Sequence, residues 1–112
     1  MAIASTSNND TLSSFSNYGV PPTWVAAPGE GVVSTYPYNT YAAGWGTSFS
    51  APFVSGTVAL MLGANNGNKM NQSMAEEAVC HAVNINNPQV GYGRLDAFDA
   101  VTALGAKSCP NN

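Results

Sequence analysis

The stretch GWGTSFSAPFVSG, residues 44 to 56, runs straight on into TVALML and constrains this chain more than any other feature. A Gly-rich turn leads into a helix expected over residues 47–63. On that helix apolar or small side chains recur nearly all round: Ala51, Val54, Gly56, Val58, Ala59, Met61 and Leu62. A helix without a polar face has to be wrapped on several sides. The fold must therefore be layered around it, and the strands on offer for that wrapping are few and short. The pattern reads as part of a larger sheet.

The remaining segments follow from local chemistry. MAIAST opens as an apolar strand, and SNNDTLSSFSNYG is a polar loop ending in turn residues. TWVAAPGEGVVSTYP predicts a short strand, a turn at Pro28-Gly29 and a second strand through Val32, Val33 and Thr35. YNTYAAGWG is a further extended piece. After the central helix, QSMAEEAVCHAV predicts an amphipathic helix. RLDAFDAVTAL predicts a last one, with Leu95, Phe98, Val101 and Leu104 on about one face. A strand, a loop, strands and then helices make an α/β pattern. No internal repeat or low-complexity run interrupts it.

Composition closes off several functions. With 112 residues the chain can build one modest domain, and 45% apolar residues are enough to give it a core. Charged residues make up only 8%, the net charge is −3, and the three cations Lys69, Arg94 and Lys107 are scattered. Neither a phosphate backbone nor an anionic membrane surface finds a partner in such a chain. The strongly apolar stretch from Ala51 to Leu62 is shorter than the ~20 residues of a membrane span. No basic segment followed by an apolar one opens the chain, so no signal peptide is expected within it. Cys80 and Cys109 are either one disulfide or two unrelated thiols, and the sequence leaves both open. Asn, Ser and Thr outnumber Lys on the expected surface, which suits an exported protein.

The chemistry concentrates at Ser48, where the turn becomes the helix. There the first backbone N–H groups lack intrahelical partners and the positive end of the helix dipole faces outward. Pro52 is expected about one turn in, where a missing N–H costs little. A hydroxyl held at this place can attack a carbonyl while free N–H groups receive the oxyanion. The small residues Gly44, Gly46, Ser50 and Ala51 leave room for a peptide backbone. The alternative is that Thr47 or Ser48 merely caps the helix. Periodicity does not decide between the two.

A resemblance bears on that choice. GTSFSAPFVSGTVALML is similar to the nucleophile-serine segment of the subtilases, the subtilisin-like serine endopeptidases. SFSNYG followed by VAAPGEGVVST resembles the loop and strand pair that precede that serine, and GYGRLDAFDAV resembles the closing helix with its Gly-x-Gly approach. The three motifs stand in the family's order. The resemblance implies the C-terminal part of a subtilisin-like three-layer α/β fold, with a mostly parallel sheet and a buried nucleophile helix. Residues 1–106 would form that part and residues 107–112 a polar tail. It implies Ser48 as nucleophile, its own N–H as an oxyanion donor, Thr47 as support for the same hole, and Phe15 and Gly46 at the substrate pocket. The substrate would be a polypeptide and the setting extracellular. No cofactor or metal is implied.

Departures from the family pattern narrow these implications. Phe49 stands where Met is usual, Phe53 where His is frequent, and Trp45 where Asn is common; the two Phe rings would reshape the pocket. Pro22 and Trp24 occupy positions that are acidic in subtilases with a cation there, so no such site is expected. In the family the Asp, the His and the oxyanion-hole Asn all precede the Ser, and none of their motifs is found here. His81 follows Ser48 and is read as a structural or surface residue on the second helix. Asp10 fits no such motif. Asp96 and Asp99 are read as first-turn residues of the last helix, and Glu76 and Glu77 as a solvated face.

A serine without a base is a poor nucleophile, so the isolated chain is expected to be nearly inert. Met1 stands where subtilases commonly carry a strand Val, as a GTG codon read as a start would produce. The expected reading is the nucleophile-bearing part of a serine endopeptidase that works with an upstream portion of the same domain. The competing readings are an inactive remnant that binds peptides or proteins through the old cleft, and an unproductive gene product.

Overall fold

A computed structural model describes residues 1–18, 23–66, 68–105 and 108–110 of the chain. The opening apolar run forms β1 (Ile3–Thr6), and β2 (Val25–Pro28) lies parallel to it, with Ile3 opposite Val25 and Thr6 opposite Pro28. Parallel strands are stable when both faces are covered, and the side chains of this pair alternate accordingly. Val25 and Ala27 pack into a cluster with Val54, Met61, Val79 and Leu95, while Ala4 and Ala26 pack against Val90, flanked by Leu12 and Ile85.

A short extended segment continues the sheet beyond β2. Ala26 bridges Arg94 in parallel, and Arg94 in turn bridges Val83 antiparallel. The Ala26 N–H donates to the Gly93 carbonyl at 2.8 Å, and the Leu95 N–H donates to the Ala26 carbonyl at 2.7 Å. Gly93 makes this possible. Its φ is +129°, and a Cβ there would run into the Val83 carbonyl. Arg94 then pairs its Nε with the Asp10 carboxylate at 2.6 Å, which gives Asp10 a structural role.

These pairings correct the expected helices. The last helix, α3, covers only Ala97–Thr102, because residues 94 and 95 are drawn into the sheet. Leu95 is therefore buried from an extended segment, while Phe98 stands 75% exposed, so the four expected residues do not form one face. Asp96 caps α3 by accepting the Asp99 N–H at 3.0 Å, with Asp99 in the first turn as expected. The helix α2 (Gln72–Val79) stops at Cys80, since Val83 is needed as a bridge partner. His81 thus lies beyond that helix and not on it. Asn71 caps α2 by accepting the Met74 N–H at 2.9 Å.

Cys80 and Cys109 form a disulfide, with Cα atoms 5.4 Å apart across a sequence separation of 29. The tail is thereby pinned beside the end of α2. The expected boundary between residues 106 and 107 falls, with Lys107, outside the described residues, as does Pro22.

A hairpin of β3 (Val32–Tyr36) and β4 (Thr40–Gly44) feeds the central helix α1 (Thr47–Ala64). One line of α1 is buried, Ser50, Val54, Thr57 and Met61, at helical spacing against β1, β2 and α3. The Thr57 hydroxyl returns to the Phe53 carbonyl at 2.8 Å, so that part of the line is satisfied.

Two expectations about α1 change. It was expected to be buried all round, yet Phe53, Leu60 and Leu62 are 43%, 62% and 46% exposed. The layers supplied by this chain cover one side of a helix built to be covered on several. By length and composition alone α1, with 18 residues and mean hydropathy 1.3, is also long and apolar enough to cross a membrane. Here it lies against the parallel strand pair.

Two tests follow. The isolated chain is expected to bind an apolar dye such as ANS and to self-associate through the open side of α1. A monomer with one sharp melt and no dye binding would contradict this. Reduction of the Cys80–Cys109 bond should cost the α2–α3 region about 3–4 kcal/mol, the loop-entropy value for a separation of 29 residues. Amide hydrogen exchange in the oxidised and reduced chain reads this directly, and equal exchange would refute it.

Candidate functional site

The mouth of α1 is made by a glycine that no other residue replaces without strain. Gly46 is the N-cap, with φ +147° and ψ 159°, and among the described residues no side chain caps the helix. Thr47 and Ser48 are thus the first two residues of the helix proper and not its caps. Their backbone N–H groups precede the first intrahelical bonds and are left at the positive end of the dipole. The Phe49 N–H already turns back to the Gly46 carbonyl at 2.9 Å. Ser48 is exposed, while Thr47 and Gly46 are partly buried.

Pro52 sits inside α1, six residues in, and not in the first turn. Its ring nitrogen has no hydrogen to give to the Ser48 carbonyl four residues back. The residue at the mouth is therefore held by the helix on one side only. The placement costs one helical hydrogen bond where the sequence suggested almost none.

The mouth rests on a layer of buried hydroxyls under β1. Ser5, Ser13, Ser16 and Ser50 are all 5% exposed or less. The Ser5 and Ser13 hydroxyls share a hydrogen bond of 2.9 Å, and the Ser5 N–H donates to Ser16 Oγ at 2.8 Å. The Gly29 N–H donates to the Thr6 carbonyl at 3.0 Å, and the Gly46 N–H donates to the Gly29 carbonyl at 2.8 Å. This chain of backbone bonds joins the parallel strands to the start of the helix. Ser50 Oγ and Thr6 Oγ1 are buried with no hydrogen-bond partner among the described residues.

The loop of residues 13–18 reaches the same place. Ser16 Oγ donates to the Asn17 carbonyl at 3.0 Å, and Asn17 Nδ2 donates to Thr47 Oγ1 at 3.0 Å. Phe15, on this loop, is 44% exposed. Thr47, Ser48 and Gly46 are therefore together at the helix mouth, with the Phe15 loop tied to them through Asn17. Sequence reasoning passed over Asn17, because a polar residue in a polar loop carries no periodic signal.

Phe49 and Phe53 line an apolar groove of about 460 Å³ between α1 and β3, with Val33, Pro52 and Leu60. Trp45 is 61% exposed beside the mouth. Trp24 is turned inward, its Nε1 donating to the Glu76 carbonyl at 3.1 Å and its ring edge meeting Tyr92 at 5.2 Å.

Several titratable groups have partners of their own. Asp10 pairs with Arg94, Asp96 caps α3, and the Glu76 carboxylate accepts from Gln72 Nε2 at 2.8 Å. Glu77 lies on the exposed face of α2, its carboxylate accepting from Ser73 Oγ at 3.4 Å. His81 is partly buried next to the disulfide, with its Nε2 unpartnered among the described residues. Ser48 has no side-chain hydrogen bond to any of them. Among the described residues no cluster of His, Cys, Asp and Glu is able to hold a metal ion.

Comparison with known proteins places this arrangement. A family model described as the subtilase family, Peptidase S8, matches residues 1–96. Thermitase from Thermoactinomyces vulgaris is 41% identical over 101 residues, which are 90% of this chain and 36% of thermitase. A halolysin-like extracellular serine protease, Nep, from Natrialba magadii is 37% identical over 105 residues, covering 91% of this chain and 19% of that protein. Among solved structures, a protease from Pseudoalteromonas arctica superposes with a TM-score of 0.80 at 30% identity, over 91% of this chain and 35% of its own. The chain thus spans about a third of the length of thermitase. The fold, the order of its motifs and these matches agree: the chain belongs to the subtilase family of serine peptidases.

Proposed function

We propose that this chain carries the nucleophile of a subtilisin-like endopeptidase, and that Ser48 attacks the peptide carbonyl. The uncapped mouth of α1 carries the reading. Gly46 exposes the first N–H groups of the helix, and Ser48 stands exposed above them. A carbonyl attacked there would build negative charge next to the Ser48 N–H, with the Thr47 hydroxyl beside it. Water is a weaker partner for that charge than dipoles already fixed by the fold.

The base is proposed to come from an upstream portion of the same catalytic domain. Among the described residues neither His81 nor any carboxylate is hydrogen-bonded to Ser48, and a serine needs a hydrogen-bonded base to lose its proton at neutral pH. The same portion would cover the open faces of α1, where Phe53, Leu60 and Leu62 are exposed. That the matched relatives are far longer than this chain agrees with it. The substrate is a polypeptide. Secretion is proposed because a relative is an extracellular protease and because a disulfide persists best in an oxidising compartment.

A second reading, an inactive remnant that binds peptides in the cleft, draws on the absence of any base beside Ser48 among the described residues. One experiment separates the two. Residues 1–112 replace the matching region of thermitase, and the chimera is treated with a fluorophosphonate probe. Labelling at Ser48 is expected, and Ser48→Ala should abolish it and lower peptide hydrolysis by more than about a thousandfold. The isolated chain should remain unlabelled. A folded chimera that takes no label would leave the binding reading in its place.

A further inference from the structure

We propose that Asn17 is a positioning residue that sets the direction of the Thr47 hydroxyl proton; this rests on the peptidase reading of Ser48. A threonine hydroxyl has one proton to give and lone pairs to receive with, and it rotates to suit its partners. Here Asn17 Nδ2 donates to Thr47 Oγ1 at 3.0 Å, which occupies a lone pair of that oxygen. The Thr47 proton cannot then point back at Asn17. Among the described residues no acceptor takes it. It is left to donate into the space beside the Ser48 N–H, where a carbonyl oxygen turning into an anion would receive it.

The donor is held by construction. The Asn17 carbonyl is fixed by the Ser16 hydroxyl at 3.0 Å, and Ser16 Oγ itself receives the Ser5 N–H at 2.8 Å. Ser16 is 5% exposed and Ser5 fully buried, so the anchor of the Asn17 backbone lies within the strand layer. The Ser16 N–H bonds to the Ser13 carbonyl at 2.9 Å, and the Ser13 N–H to the Ser5 carbonyl at 2.9 Å, which fixes the loop a second time. The Asn17 side chain is itself exposed, and it is this backbone anchor together with the contact to Thr47 that gives its amide a direction. Such preorganised donors stabilise developing charge without reorganising when it appears.

The nature of the donor makes the inference testable. Asparagine is able to donate to the hydroxyl, whereas the isosteric aspartate is able only to accept. Aspartate would draw the Thr47 proton to itself and away from the oxyanion. In the thermitase chimera, Asn17→Ala is expected to lower kcat roughly tenfold, the effect of losing about one kcal/mol-scale hydrogen bond in the transition state. KM should change by less than about twofold, since the contact matters to the transition state and not to substrate docking. Asn17→Asp should be slower than Asn17→Ala despite its closer shape. In a Thr47→Val background, Asn17→Ala should cost nothing further.

Other results overturn it. Asp as fast as Asn, a loss that falls on KM, or an undiminished cost of Asn17→Ala beside Thr47→Val would each show that Asn17 only packs the loop. Ser48→Ala measured alongside separates the two levels. A parent chimera no faster than Ser48→Ala sinks the peptidase reading and this inference together. An active parent with any of the three results above sinks the inference alone.

Discussion

The hydrogen bond from the Gly46 N–H to the Gly29 carbonyl, 2.8 Å long, joins the two halves of this structure. On one side of it the parallel strands end, with the Gly29 N–H bonded to Thr6. On the other side the hairpin ends and α1 begins. Gly46 holds a φ of +147° at this place, which side chains with a Cβ rarely adopt, and the chain turns from strand into helix within two residues. The direction of α1 over the strands, and with it the height of Ser48, depends on this turn. A substitution at Gly46 would change both through the backbone, before any side-chain chemistry was touched.

Beneath the turn the fold uses polar contacts where a small domain would ordinarily use apolar ones. Ser5, Ser13 and Ser16 are buried and bonded to one another or to backbone, which avoids the penalty of an unpaired polar group and fixes direction as apolar packing does not. Apolar contacts lie on the two faces of the strand pair and along one line of α1. The division has a physical basis. Dispersion and hydrophobic burial hold elements together without specifying angles, whereas a hydroxyl between two backbone groups sets a loop to within a fraction of an ångström. The loop of residues 13–18 lies on the side where direction matters, facing the helix mouth.

Much of this was legible from residue patterns. The apolar run of α1, the opening strand, the strand about Val25 to Ala27, the strand through Val32, Val33 and Thr35, and Asp99 in the first turn of α3 follow from local propensity and turn chemistry, whereas Asp96 is the cap of α3 and Pro28 ends β2. The ends of α2 and α3 did not follow. Arg94 and Leu95 fit a helical pattern, but pairing with Ala26 and Val83 satisfies their backbone in the sheet, and tertiary pairing outweighs a weak local preference. Phe98 fits a buried stripe by spacing and is exposed, because the face it lies on is left uncovered by this chain. The pairing of Cys80 with Cys109 was open in the sequence for a like reason: two thiols bond only where the fold brings their backbones close.

Residue type and order alone established that a Gly-Thr-Ser turn opens an apolar helix, that the three cations are scattered along a chain only 8% charged, and which family its three motifs resemble. These are properties of residue type and order, and local sterics and solvation suffice to read them. It took the three-dimensional arrangement to show that Thr47 and Ser48 lie inside the helix and do not cap it, that α1 is covered on one side, and that Asn17 meets Thr47. Those depend on distances between residues far apart in the chain, Asn17 and Thr47 being separated by 30 positions. Contacts of that range are set by how whole layers pack, and no local pattern of residues encodes them.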